Sequence, residues 1–554
     1  MTHPLFQKHK ATLDAALEAI RTRGYWSPYP EAPSPKIYGE TAKEDGERAM
    51  QARIGKRFAL DQPGISGWLA TERSPYGVTL DIHYPECDTE ALLAAARSAQ
   101  SAWQRVGAAG RVGICLEMLD RINRRSFEIA QAVMLTTGQG WMMAFQAGGP
   151  HAQDRGLEAV AYAWDEMSRI PSESIWEKPQ GKNPPLKMQK QFEIVGRGVA
   201  LVIGCGTFPT WNTYPGLFAA LATGNPVIVK PHPNAVLPAA ITVEIAREVL
   251  QEQGLDPNLV SLAVFENPAR TRALATDPRV RSIDFTGSNV FGQWLMDNAR
   301  QAQVYAELAG VNHVVIESTD RYKGMLRNLA FTLSLYAGQM CTTTQAIIVP
   351  ADGIETDQGH KSFDDVAADL ATALETFLAD TNVATAVLGA IQSEATLARI
   401  EEAHTLGRVV LASKRIDHPD FPSAEVRTPV LLACDAADES LYMEERFGPI
   451  AFVVKTADAA AAIALAERLG SERGALTAGI YSTRDEVVQA MTEASWHAGV
   501  ALSINLTSGV FVNQSGAFSD YHGTGMNPAA NAAYSDSAFV ANRFRVIQRR
   551  RHID

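Results

Sequence analysis

The sequence predicts an α/β protein built on two parallel-sheet lobes, and three observations carry that prediction. Its 554 residues exceed one ordinary core and suit two or three domains of about 100–200 residues each. Short β-branched runs at 199–203, 226–230 and 280–285 alternate with helix-length stretches, the pattern of βαβ units around a parallel sheet. A second series starts at 312–316 and continues at 345–349, 408–411, 451–454, 477–480 and 501–505, which implies a second lobe.

The elements follow in order. Leu13, Leu17 and Ile20 recur at helical spacing, so residues 11–23 open the chain as an amphipathic helix. A proline-rich loop follows over 25–36. Asp88 is placed to cap an alanine-rich helix running to about residue 106, and further helical patterns cover 110–134 and 153–167. Between 171 and 185 the composition turns to proline, serine and lysine, after which 186–194 alternates as a half-buried strand does. Residues 172–196 therefore leave the body of the domain. The alanine-rich stretch 459–466 is an ordinary packed or solvated helix.

Composition narrows the function. Hydrophobic residues make up 46% and charged residues 20%, which fits a folded soluble enzyme. The net charge of −12 carries no dense acidic tail, and the one concentrated basic run, Arg549, Arg550 and Arg551, reads as a solvated or subunit-contacting end. Nucleic acid is excluded as a partner. Five cysteines are scattered, without C-x-x-C pairs or metal-like clustering with histidine, so we expect reduced thiols, no metal and a cytoplasmic location. The N-terminus is charged from Lys8 onward, and no stretch approaches the ~18 apolar residues of a membrane span.

Two glycine patterns mislead. Gly204-Cys205-Gly206-Thr207-Phe208-Pro209 starts like G-x-G-x-x-G but places proline at the third glycine. Gly287 to Gly292 has P-loop spacing yet continues with Gln293 instead of lysine. More informative is Phe285-Thr286-Gly287-Ser288, which follows a predicted strand and opens a predicted helix, leaving backbone N–H groups free for an anion such as a pyrophosphate. Lys230 ends a buried strand before Pro231, a costly place for a charge without a ligand. Cys341, in Gly338-Gln339-Met340-Cys341, and Glu307, in Glu307-Leu308-Ala309-Gly310, supply a thiol that can attack a carbonyl and a carboxylate that can activate water. His313, six residues beyond Glu307, enters a strand and reads as a structural histidine.

Taken in order, residues 224–231, 285–288, 307–310, 338–341 and 444–449 resemble the aldehyde dehydrogenase superfamily. The resemblance implies that fold: a dinucleotide-binding domain from 1–171 and 197–309, a catalytic domain from 310–530, and a small β bridging element that joins 172–196 to 531–554 and pairs subunits in a dimer or a dimer of dimers. It implies Cys341 as nucleophile, Glu307 as base, and Lys230, His232, Gly287, Ser288, Glu445 and Phe447 as contacts to NADP or NAD. The presence of Glu307 favours hydrolysis to the free acid over transfer of the acyl group to coenzyme A. Within the family, residues 206–212 and 230–233 are most similar to members of phenylacetate degradation, so a semialdehyde of aromatic catabolism, coenzyme A-linked, is the implied substrate.

Three positions depart from the family pattern. Counted without a gap from Gly198 to Gly224, Thr207 takes the place of the asparagine that stabilises the oxyanion, with Asn212 five residues later needing a compensating deletion. Thr207 is the expected donor; loss of one such donor costs about 2.7–4 kcal/mol, which leaves a catalytically silent homologue as the alternative. Pro233 replaces the glutamate that holds the adenosine ribose in NAD-preferring members, so a 2′-phosphate could approach Lys230 or His232. Ala309 replaces the first glycine after the base.

Overall fold

The computed structural model describes residues 3–514 and 516–554. A short helix Pro4–Lys8, not expected, precedes the helix Lys10–Thr22 in a mostly helical first third, in which Asp88 caps Thr89–Arg124 by accepting a 2.9 Å hydrogen bond from the Ala91 N–H. Gly107, with φ +76°, interrupts that helix where the sequence expected an end near residue 106. The expected helix over 110–134 is divided at Arg125, with Ser126–Thr137 beyond it. The helix Trp141–Gly148 was not foreseen. The one expected from 153 begins three residues earlier at Pro150, because proline has no N–H to lose in a first turn.

Next come two long strands, β1 (Glu173–Gln180) and β2 (Asn183–Gly196), which form an exposed antiparallel hairpin. The chain then enters a five-stranded sheet of β3 (Val199–Ile203), β4 (Val227–Lys230), β5 (Val260–Leu262), β6 (Val280–Thr286) and β7 (Gln303–Glu307). All its pairs are parallel, in the order β5-β4-β3-β6-β7. Side chains alternate between two cores: Ala200, Val202, Val227 and Val229 face the helices Pro150–Ser168, Tyr214–Ala222 and Leu237–Glu252, while Val199, Leu201, Ile203 and Ile228 face the other way. Burial on both faces explains why these strands read as unbroken apolar runs.

The second sheet holds β8 (His313–Ile316), β9 (Ala346–Pro350), β10 (Arg408–Leu411), β11 (Val430–Asp435), β12 (Ile450–Thr456), β13 (Thr477–Tyr481) and β14 (Ala501–Ile504) in the order β10-β11-β12-β9-β8-β13-β14. Only its edge strand β10 runs antiparallel to its neighbour. β15 (Phe544–His552) returns to the hairpin and pairs antiparallel with β2 from Phe544↔Gly196 to His552↔Met188. A buried ion pair anchors that return: the Arg543 guanidinium donates to both carboxylate oxygens of Asp284 on β6 at 2.6 and 2.8 Å, and stacks over Tyr305 and Phe539.

Candidate active site

In the five-stranded sheet the chain runs outward from β3 through β4 to β5, then returns to build β6 and β7 on the opposite side. Such a reversal opens a crevice at the carboxyl ends of the strands, where ligands bind in open α/β sheets. Lys230 ends β4, Gly287 and Ser288 follow β6, and Glu307 ends β7, so three sequence-predicted segments converge there.

Cys341 arrives from the second lobe. Tyr336, Ala337 and Gly338 hold left-handed φ values of 51°, 47° and 64°, and the two non-glycine members each store on the order of 1–3 kcal/mol of strain. Packing holds them there. The Tyr336 hydroxyl donates to the Thr137 carbonyl at 2.5 Å, and Gly338 lies so close to Gly448 that a Cβ would strike the Gly448 carbonyl oxygen. The Cys341 carbonyl accepts from the Asn312 amide at 2.8 Å, and the Thr342 hydroxyl donates to the Asn513 carbonyl at 2.7 Å. The thiol is thereby aimed at the crevice.

There Cys341 meets Glu307 and a residue the sequence did not announce, His522. Their side-chain N, O and S atoms all lie within 4.8 Å of one another. His522 Nε2 is 3.1 Å from Glu307 Oε2 and 3.9 Å from Cys341 Sγ. Glu307 is 4% exposed, and its Oε1 has no partner among the described residues. One oxygen is thus anchored and the other is open. Burial, and then the nearby Glu307 charge, pushes the Cys341 thiol well up. His313 plays no part here: its Nδ1 contacts the Val311 carbonyl inside the second lobe, and burial pushes its pKa down to about 4.

Thr207 and Asn212 separate clearly. The Thr207 hydroxyl lies 3.9 Å from Cys205 Sγ, whereas the Asn212 amide donates to Tyr534 Oη at 3.0 Å, Thr286 Oγ1 at 3.2 Å and Glu307 Oε2 at 3.4 Å. A turn over 208–213, closed by the Asn212 N–H to the Phe208 carbonyl at 3.1 Å, brings the Asn212 side chain to Glu307. Of the two, Asn212 is the side chain that reaches Glu307, and Thr207 the one that faces Cys205.

Two cavities meet at Cys341, Phe208 and Asn212. The first, of about 710 Å³, includes every predicted cofactor residue in its lining: Lys230, His232, Gly287, Ser288, Glu445 and Phe447, with Thr207 beside them. Lys230 has no hydrogen-bond or ion-pair partner among the described residues, and burial lowers its pKa to about 8. His232 is lowered to about 4 by burial and then by Lys230, so it is neutral, and its Nδ1 accepts the Asn234 N–H at 3.2 Å. Gly287 departs from expectation, since its N–H is already given to the Glu307 carbonyl at 3.0 Å. Ser288 caps the helix Asn289–Asn298, and the Asn289 and Val290 N–H groups behind it have no partner among the described residues. Two free donors at a helix N-terminus suit an anion. Burial raises the Glu445 carboxyl to about 7.

The second cavity, of about 550 Å³, is lined by Tyr25, Trp26, Tyr29, Met142, Met143 and Phe331 with His522 and Cys341 at its floor. Its acidic lining residues are Glu31, which pairs with His151 at 2.8 Å, and Asp154, whose carboxyl burial pushes well up; among the described residues no lysine or arginine lines it.

Comparison with known proteins agrees with this geometry. Residues 82–539 match the profile of the Aldehyde dehydrogenase family. The crystal structure of an NAD-dependent aldehyde dehydrogenase from Burkholderia multivorans superposes with a TM-score of 0.99 at 58% identity, covering 100% of both chains. The 1-pyrroline-5-carboxylate dehydrogenase from Thermus with bound NAD shares the fold at a TM-score of 0.73 and 20% identity, covering 96% of this chain and 99% of that one. Among curated proteins, vanillin dehydrogenase of Pseudomonas fluorescens is 26% identical over 446 residues, 79% of this chain and 84% of its own.

Proposed function

This chain belongs to the aldehyde dehydrogenase family, and we propose that it oxidises an aromatic, apolar aldehyde to the carboxylic acid with NAD or NADP, through a thioester on Cys341. The observation that carries this reading is the meeting of one thiol and one carboxylate, from different lobes, within 4.8 Å at the junction of the two cavities. Cys341 Sγ attacks the aldehyde carbon. The Asn212 amide, with the Cys341 backbone N–H, receives the developing oxyanion. Glu307, steadied through Oε2, keeps Oε1 for the water that hydrolyses the thioester.

A nicotinamide dinucleotide, when bound in the larger cavity, supplies the hydride acceptor. The unpaired Lys230 and the open Asn289 and Val290 N–H groups fit such a polyanion, and Glu445 and Phe447 line the same cavity nearer Cys341. With His232 neutral, Lys230 is the cation beside it for a 2′-phosphate, Arg399 being tied to the Phe447 carbonyl, while Glu266 in the same lining opposes one. The reading therefore favours NAD, in keeping with the NAD-dependent relative at 58% identity.

Within the family, the similarity of residues 206–212 and 230–233 to the phenylacetic acid degradation protein PaaN points to an aldehyde of aromatic catabolism. The aromatic, methionine-rich cavity supports that class; among the described residues its lining offers no lysine or arginine to the phosphates of a coenzyme A chain. The proposal includes a cytoplasmic location, compatible with five free cysteines, and a dimer formed through the β15-β2-β1 sheet, whose edge strand exposes Val546 and Ile547. The test is to offer the purified protein a panel of aromatic, aliphatic and coenzyme A-linked aldehydes with each cofactor. Reduced cofactor from the aromatic aldehydes, abolished in Cys341→Ala, is expected. No reduction with any aldehyde, or an unchanged Cys341→Ala variant, would sink the reading; light scattering at monomer mass would sink the dimer.

A further inference from the structure

The Cys341 thiol needs a route for its proton, and its surroundings oppose ionisation: burial and the adjoining Glu307 charge both favour the neutral S–H. A cation beside the sulfur would reverse this. His522 stands where that cation would be. Its ring is 4% exposed, lies edge-on to Trp211 at 4.6 Å and borders Tyr534 at 5.3 Å, so it has little room to turn. Nε2 faces both Sγ at 3.9 Å and Glu307 Oε2 at 3.1 Å. A bare Nε2 would point its lone pair at a carboxylate lone pair, whereas a protonated Nε2 donates to it. Glu307 thus favours whichever arrangement places a proton on Nε2.

We propose that His522 is a further catalytic residue of this enzyme: it receives the Cys341 proton and, as the imidazolium, holds the thiolate ready for the aldehyde. In that step, which starts from the neutral ring with its proton on Nδ1, the S–H bond breaks and an Nε2–H bond forms, with no net change of charge in the pair. The freed sulfur electron pair then bonds to the carbonyl carbon, and the carbonyl π pair moves to oxygen. Glu307 stays bonded to the imidazolium through Oε2 and keeps Oε1 for water. Three groups face the ring: Glu307 from β7, Cys341 from the nucleophile segment and Tyr534 from the chain before β15. The Arg155 guanidinium lies beyond Trp211, 5.1 Å from that ring, and pairs with Asp520 from His522's own loop. This inference rests on Cys341 being the nucleophile of the proposed oxidation, but its test needs neither aldehyde nor cofactor.

The experiment is alkylation by iodoacetamide, a neutral reagent that reports thiolate, with the Cys341 peptide quantified by mass spectrometry across pH. In the unaltered protein the rate should already plateau near about pH 7, because one thiolate–imidazolium population reacts. In His522→Asn the rate at about pH 7 should fall at least tenfold and then climb about tenfold per pH unit, as for a lone thiol. Far-UV circular dichroism and NAD affinity check that the variant is folded. A plateau-free climb through about pH 9 in the unaltered protein overturns the proposal without any variant; so does a folded His522→Asn that matches it within about twofold at each pH. If alkylation behaves as expected while no aldehyde is oxidised, the role of His522 stands and the oxidation reading falls.

Discussion

Replacing Asn212 by alanine tests the reaction geometry most directly. Its amide donates to Tyr534, Thr286 and Glu307 and borders both cavities at Cys341. Removing one oxyanion donor typically slows the chemical step about 10²–10³-fold, or about 2.7–4 kcal/mol. Thr207→Ala deletes a hydroxyl whose recorded contact is Cys205 at 3.9 Å. If that hydroxyl touches no reacting atom, the rate stays within about threefold, under about 0.7 kcal/mol. The assay is rapid-mixing measurement of the first turnover of reduced cofactor, with aldehyde and cofactor saturating, so that thioester hydrolysis does not enter. Asn212→Ala should slow that phase by two to three orders of magnitude, roughly, while Thr207→Ala leaves it near the unaltered rate. Equal losses in the two variants, or a greater loss in Thr207→Ala, would refute the assignment.

Other consequences are as direct. Glu445, raised to about 7, accepts ribose hydroxyl hydrogen bonds more strongly when ionised, so NAD affinity should tighten as pH rises from about 6 to about 8; a titration of Glu445→Gln should be flat over that range, and a matching slope would contradict the role. Glu266→Gln should narrow the preference for NAD over NADP by roughly fivefold, the worth of about 1 kcal/mol of like-charge repulsion in water; an unchanged ratio of kcat/KM values removes Glu266 from the adenosine site. Arg543→Met leaves Asp284 buried without its partner and should destabilise by about 3–5 kcal/mol in urea unfolding, with a loss below about 1 kcal/mol counting against the anchor.

The parts legible in the sequence are those whose geometry is local. Lys230 and Glu307 sit at the ends of strands whose apolar runs are unmistakable, and Ser288 caps the helix that follows β6. Cys341 was recognisable by its immediate neighbours. The choice between Thr207 and Asn212 was not legible, because an ungapped count between two glycines cannot say which side chain the fold brings within 3.4 Å of Glu307. Gly287 lines the cavity as expected, but its N–H is not free, because a strand-end N–H can be claimed by the adjacent strand, as the Glu307 carbonyl claims it. His522 had no readable signal. It comes from an irregular loop 181 residues beyond Cys341, and only tertiary closure brings the two together.

The contact between Gly338 and Gly448 has a consequence for how such a protein can diversify. Because the segment that presents the sulfur is wedged against the one that carries Glu445 and Phe447, neither can drift without dislodging the other. New preferences must therefore accumulate in the rim contributed by residues such as Tyr25, Trp26 and Met142, where a side chain can be exchanged while the reacting centre stays registered. The reactive machinery is held fixed, and the vestibule is the part left free to vary.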